Sequence, residues 1–163
     1  MNIILLLIHP DLHRVGLTVL ERLRDTEETK DIASLWVSYF TGIAVISNRK
    51  TPSHNDTNGR PEWYDLLSVK GSNVRPARLE FKELGLKLDY GPKTVVGACG
   101  QIFEHSVDFW GEGDRICYAH FMRDKVRARF GVDPGGWVIQ AFPRHSVNTK
   151  TSSPSRVINI YRQ

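Results

Sequence analysis

Ala77-Arg78-Leu79-Glu80-Phe81, followed closely by Leu84-Gly85-Leu86-Lys87-Leu88-Asp89-Tyr90, places apolar side chains at every second position. Successive side chains of an extended chain point to opposite faces, so this alternation predicts half-buried strands rather than a helix. Short apolar runs recur on both sides of it, at 42–46, 64–69, 94–98, 102–107, 116–122 and 137–141. Turn formers separate them: Asn58-Gly59, Gly91-Pro92, Gly111 with Gly113, and Asp133-Pro134-Gly135-Gly136. About eight short strands at this spacing predict a mainly β fold with a flanking helix, closed as a barrel or jelly-roll sandwich.

The flank lies at the start. After Pro10, the residues Leu12, Val15, Leu17, Leu20 and Leu23 recur at roughly helical spacing, with Asp11 expected as the N-cap and the charged run 22–31 closing the helix. The expected organisation is a single domain over 1–142, made of a helical flank at 1–40 and a β core at 41–142, followed by a polar, flexible tail at 143–163. Within that tail, 157–161 is apolar enough to add an edge strand.

Composition excludes several classes. With 40% hydrophobic and 25% charged residues the chain reads as an ordinary globular domain. Two cysteines, Cys99 and Cys117, are too few for a disulfide scaffold and lack metal-type Cys-x-x-Cys spacing, so both are expected as reduced core residues. The opening apolar run at 1–8 has neither a basic leader nor a small-residue cleavage site, and is not read as a signal peptide. No stretch is long enough to span a membrane, and an intracellular setting is expected. The net charge of +4 is compatible with an anionic partner, and nothing in the sequence sets an oligomeric state.

The chemistry-bearing residues are His54-Asn55-Asp56, then His105, then Arg115. Two imidazoles and one carboxylate can fill three adjacent positions of an Fe(II) ion and leave others open, while a fixed guanidinium suits a carboxylate on a cosubstrate. A His-x-Asp triplet alone says little. With six histidines and ten aspartates among 163 residues, chance supplies about 0.4 of them, and His9-Pro10-Asp11 has the same spacing just ahead of a helix. His54 and Asp56 differ because a predicted strand precedes them, in a segment where alternate residues can face one way. Arg115 is followed at alternate positions by Cys117 and Ala119, small enough to leave room for a ligand if Arg115 points inward.

These residues resemble the TET/JBP-like Fe(II)- and 2-oxoglutarate-dependent dioxygenases, in particular a fungal-type branch. The carrying stretches are Ile46-Ser47-Asn48-Arg49 through His54-Asn55-Asp56, Pro61-Glu62-Trp63-Tyr64-Asp65-Leu66-Leu67, 97–105, and Gly113-Asp114-Arg115 through Phe121-Met122-Arg123. The resemblance implies a double-stranded β-helix. It implies that His54, Asp56 and His105 hold Fe(II), that Arg115 binds the far carboxylate of 2-oxoglutarate, and that O2 is the oxidant.

The same resemblance implies nucleic acid as the partner, DNA with a methylated base in a nuclear setting, and hydroxylation of 5-methylcytosine to 5-hydroxymethylcytosine after base flipping. Other targets of the same chemistry are N6-methyladenine, RNA or a protein side chain. A third reading is an inactive copy that only binds nucleic acid or a partner. Asn58 is the polar residue expected at the base, and Trp63, beside Pro61 and Glu62, is the aromatic expected to stack on it. Arg123, Lys125, Arg127 and Arg129 read either as phosphate contacts or as the wet face of an amphipathic helix, because Met122, Val126 and Phe130 recur every fourth residue.

Overall fold

The computed structural model describes residues 1–73 and 75–138. The expected flexible tail at 143–163 and its strand at 157–161 lie outside the described residues, as does most of the strand expected at 137–141, of which Trp137 and Val138 are irregular.

Three helices open the chain: α1 (Asn2–Ile8), α2 (Pro10–Asp25) and α3 (Lys30–Leu35). The N-cap of α2 is His9 and not Asp11. The His9 ring accepts the Leu12 amide at Nδ1 and donates from Nε2 to the Glu62 carbonyl, while Pro10 takes the first helical position, where its missing N–H costs nothing. Asp11 sits one step later in the first turn and pairs with Arg14 at 3.5 Å. The buried face of α2 is Leu12, Val15, Gly16, Val19 and Leu20, with Leu17 only half-buried, because a helix stripe keeps to i, i+3, i+4 and i+7. The charged run closes α2 as expected, then re-enters a helix as α3.

Among the described residues eight strands follow: β1 (Gly42–Ser47), β2 (Thr51–His54), β3 (Asp65–Gly71), β4 (Ala77–Phe81), β5 (Leu86–Tyr90), β6 (Val95–Ala98), β7 (His105–Val107) and β8 (Arg115–Phe121). They form two four-stranded antiparallel sheets, β1-β8-β3-β6 and β2-β7-β4-β5. Consecutive strands alternate between the two sheets for most of the chain, the jelly-roll order of a double-stranded β-helix. A fourth helix, α4 (Asp124–Arg129), follows β8 among the described residues.

Several strands are shorter than the apolar runs that announce them. Lys82–Leu84 makes a 3-10 turn ended by Gly85 at φ +59, so Leu84 leaves the strand and is exposed. In the run 102–107 only the last three residues are strand, since the amides of Ile102 and Phe103 both turn back to the Cys99 carbonyl.

Two apolar clusters hold the domain. Leu5, Leu12, Val15, Val19, Phe40, Trp63, Leu66 and Met122 join the helices to the outer face of the first sheet. Val69, Ala77, Leu79, Phe81, Tyr90, Val107, Trp110 and Cys117 lie between the sheets. Alternation on β3 sorts Leu66 to the helices and Val69 to the interior, so one strand serves both clusters. Among the described residues, no helix is long and apolar enough to cross a membrane.

Candidate metal centre and cosubstrate pocket

His54 ends β2 and His105 begins β7, and the two are direct partners in that antiparallel pair. Each imidazole donates Nδ1–H to the carbonyl two residues before it, His54 to Pro52 at 2.9 Å and His105 to Phe103 at 3.1 Å. That hydrogen bond selects the tautomer whose lone pair is on Nε2. Both Nε2 atoms turn toward Asp56: His54 stands 3.6 Å from Oδ1 and His105 3.8 Å from Oδ2. Asp56 is held by its own amide, which donates to the Gly100 carbonyl at 2.9 Å. One donor atom from each of the three residues lies within 4.8 Å of the others, two neutral nitrogens and one anionic oxygen, a set suited to Fe(II).

Asp65, at the start of β3, is a second carboxyl beside Asp56. Burial and the adjacent Asp56 charge push its pKa up to about 8, so in the metal-free protein it carries a proton at neutral pH. Gly100 packs against both carboxylates, leaving no room for a larger residue.

Arg115 lies in the interior, 1% exposed. Its backbone is pinned by the Asn48 side chain, which accepts the Arg115 amide at 2.8 Å and donates to Asp114 at 2.7 Å. The guanidinium carbon sits 5.1 Å from the centre of the Tyr90 ring and 5.8 Å from that of Trp110, whose indole is fixed by donation to the Gly113 carbonyl. Nε and Nη1 are buried without a hydrogen-bond partner. A desolvated cation with free donors is costly unless an anion completes it, and a carboxylate fits those donors.

His54, Asp56, Asp65, Tyr90, His105 and Arg115 line one cavity of about 350 Å³. Its β8 wall is the inward-facing row Arg115, Cys117, Ala119 and Phe121, which spans roughly 20 Å at strand rise. The three candidate metal donors lie along the same cavity. Asn58, Gly59, Phe121 and Arg123 line it near the start of α4, where the Asp124 amide donates to the Asn58 carbonyl.

His54, Asp56 and Asn58 of one short stretch, His105 and Arg115 are therefore brought together from three separate segments of the chain. Trp63 is not. It is 3% exposed in the helical cluster, its indole donates to the Pro134 carbonyl at 2.9 Å, and it does not line the cavity, so the expected base-stacking role is corrected to core packing. The basic run is also divided. Arg123 lines the cavity, whereas Arg127 is spent on Asp124 and the Val132 carbonyl, and Val126 and Phe130 pack inward as the amphipathic reading requires. Sequence reasoning gave no site role to Asp65, Arg49 or Tyr90, all of which line the cavity, whereas Cys117, expected as a small neighbour of Arg115, lines it too. Arg49 and Asp65 do fall inside the stretches that carry the family resemblance, which is the one signal that points to them.

Comparison with known proteins gives a family match and similar solved structures. The Tet_JBP family model, the oxygenase domain of the 2OGFeDO superfamily, matches residues 1–124. Among solved structures the chain is similar to NgTET1 in complex with 5mC DNA, with a TM-score of 0.51 and 18% sequence identity over 66% of this chain and 42% of that one. At that identity the likeness is one of fold, and the matched part is less than half of that protein's length. No curated protein matches in sequence.

Proposed function

This chain belongs to the Tet_JBP family of oxygenase domains within the 2OGFeDO superfamily, and on that premise we propose that it is an Fe(II)- and 2-oxoglutarate-dependent dioxygenase acting on a methylated base in nucleic acid, with 5-methylcytosine in DNA as the substrate. The observation that carries the reading is the pairing, in one cavity, of three convergent metal donors with a buried arginine whose Nε and Nη1 have no partner.

His54, Asp56 and His105 would hold the iron, their outer nitrogens already oriented by the Pro52 and Phe103 carbonyls. Bound iron, with 2-oxoglutarate and O2, supplies oxidation of a methyl C–H bond to an alcohol while 2-oxoglutarate becomes succinate and CO2. Arg115 binds the carboxylate of 2-oxoglutarate remote from the metal, and Tyr90 and Trp110 keep its guanidinium in place. The small side chains of Cys117 and Ala119 leave the space that the cosubstrate occupies. Walls built from Leu67, Leu79 and Val107 exclude water from it.

The substrate assignment draws on the far end of the cavity. A base inside a duplex must be flipped out to reach a buried site, and Asn58 offers both a donor and an acceptor to its polar edge. Arg123 beside it offers a cation to the flanking phosphate, as DNA-acting enzymes require. The similarity in fold to NgTET1, a protein seen with 5mC DNA, supports the same class of partner and hence a nuclear setting.

The test is succinate release with Fe(II), 2-oxoglutarate, O2 and a panel of oligonucleotides carrying 5-methylcytosine, N6-methyladenine or no methyl group. Succinate above background is expected with 5-methylcytosine DNA, together with 5-hydroxymethylcytosine in the product. Equal turnover with the unmethylated strand would move the target away from methylated bases.

A further inference from the structure

The oxygenase reading uses Cys117 only for its small size and leaves its thiol without a chemical task. Cys117 is a free thiol, 3% exposed overall, yet its side chain lines the cavity two residues from Arg115 on the same face of β8. Tyr90 touches both residues: its hydroxyl is 3.2 Å from the Cys117 sulfur and its ring stacks on the Arg115 guanidinium.

We propose that Cys117 is a covalent modification site for small α,β-unsaturated dicarboxylates, captured through one carboxylate by Arg115. The inference rests on the reading of this cavity as the 2-oxoglutarate site, because it gives the same anchor to a second dicarboxylate. The 1% exposed guanidinium, with Nε and Nη1 unpartnered, is the independent sign that this site takes a carboxylate. Once that carboxylate is held, the carbon chain lies along the wall that carries the sulfur, and addition becomes effectively intramolecular.

The step balances without a further reagent. The Cys117 sulfur bonds to one alkene carbon, the π pair moves to the neighbouring carbon, and that carbon takes up the proton lost by the thiol. No oxidant, reductant or leaving group is needed. 2-Oxoglutarate has no alkene and leaves the cysteine unchanged, so the cavity accepts one dicarboxylate reversibly and is closed by the other. The adduct leaves its carboxylates beside Arg115 and blocks the cosubstrate. Cys99 is the internal control: it is buried, its thiol donates to the Pro61 carbonyl at 3.0 Å, and it does not line the cavity.

The experiment is intact-mass analysis and peptide mapping of the whole chain after incubation with fumarate, or with its neutral dimethyl ester, with and without 2-oxoglutarate. Binding of 2-oxoglutarate is followed separately by thermal shift. One fumarate is expected on Cys117 and none on Cys99, with no adduct in Cys117→Ser or Cys117→Ala. Saturating 2-oxoglutarate should slow the reaction by about tenfold or more, and Arg115→Gln should slow fumarate by a similar factor while changing the neutral diester by less than about twofold. Absence of the Cys117 adduct in protein that binds 2-oxoglutarate would overturn the capture and leave the oxygenase reading intact. An Arg115-dependent adduct that 2-oxoglutarate does not slow would overturn the shared anchor and the cosubstrate reading, while the modification itself stands.

Discussion

His54 and His105 face each other across the β2–β7 pair with ring centroids 4.4 Å apart, and each is tied by Nδ1–H to the carbonyl two residues before it. The matched bonds fix both rings with Nε2 toward Asp56. Removing one ring leaves two donors, too few to hold a divalent ion firmly in a site open to water. His105→Ala is expected to weaken Co(II) or Fe(II) binding by more than about a hundredfold while the fold is retained, since ligand-orienting changes alone cost tenfold to a hundredfold. Metal affinity equal to that of the unaltered protein, measured by titration calorimetry, would remove His105 from the site.

The β4 strand was legible because one face is buried and the other is open to solvent, which writes alternation into the sequence. The order of His54, Asp56, His105 and Arg115 was legible because their chemistry has few other uses in combination. The β2 strand was not: it is a sheet edge carrying Pro52, with three of its four residues exposed, so no apolar pattern marks it. Helix α3 was hidden in a charged run because only Ala33 of its residues is buried. The place of Trp63 depended on which cluster the helices would cover, and the meeting of Asp56, Asp65 and Gly100 is made by three distant segments. Neither leaves a local pattern to read.

That meeting makes Gly100 a sensitive position. A Cβ added there would overlap Asp56 Oδ2, lie 3.0 Å from Asp56 Cγ and approach Asp65 Oδ2 to 3.2 Å. The Asp56 carboxylate would have to swing away from the two histidines. Gly100→Ala is therefore expected to lower metal affinity by about tenfold or more, as loss of ligand orientation does elsewhere, with the far-ultraviolet circular dichroism unchanged. An alanine variant that binds metal normally would show that Asp56 is not held by this contact.

Trp63 separates packing from recognition. Its ring fills the cluster between α2 and the first sheet, and its indole hydrogen bond to Pro134 anchors the segment after α4. Trp63→Ala should cost about 3–5 kcal/mol of folding stability, and Trp63→Phe clearly less. The phenylalanine variant is expected to keep the substrate preference of the unaltered chain. A change of base preference at unchanged stability, seen in the oligonucleotide panel, would restore a recognition role to this residue.

His120 supplies a pH test away from the metal ligands. It lies on the outer face of β8 against Phe40, with a buried Nδ1 that has no hydrogen-bond partner. Burial, with the positive amino terminus adding to it, holds its pKa below the ordinary 6.5. As pH falls, the unfolded chain therefore takes up its proton before the folded one does. The stability contributed by neutral His120 is complete above pH 6.5 and drains as pH falls through the depressed folded value. Thermal melts in a chelator, from pH 8 down to 5, should show the melting temperature of the unaltered protein falling more steeply below about 6.5 than that of His120→Gln, which has no imidazole to charge. Parallel curves for the two proteins would mean that His120 meets solvent freely enough to titrate as it does in the unfolded chain.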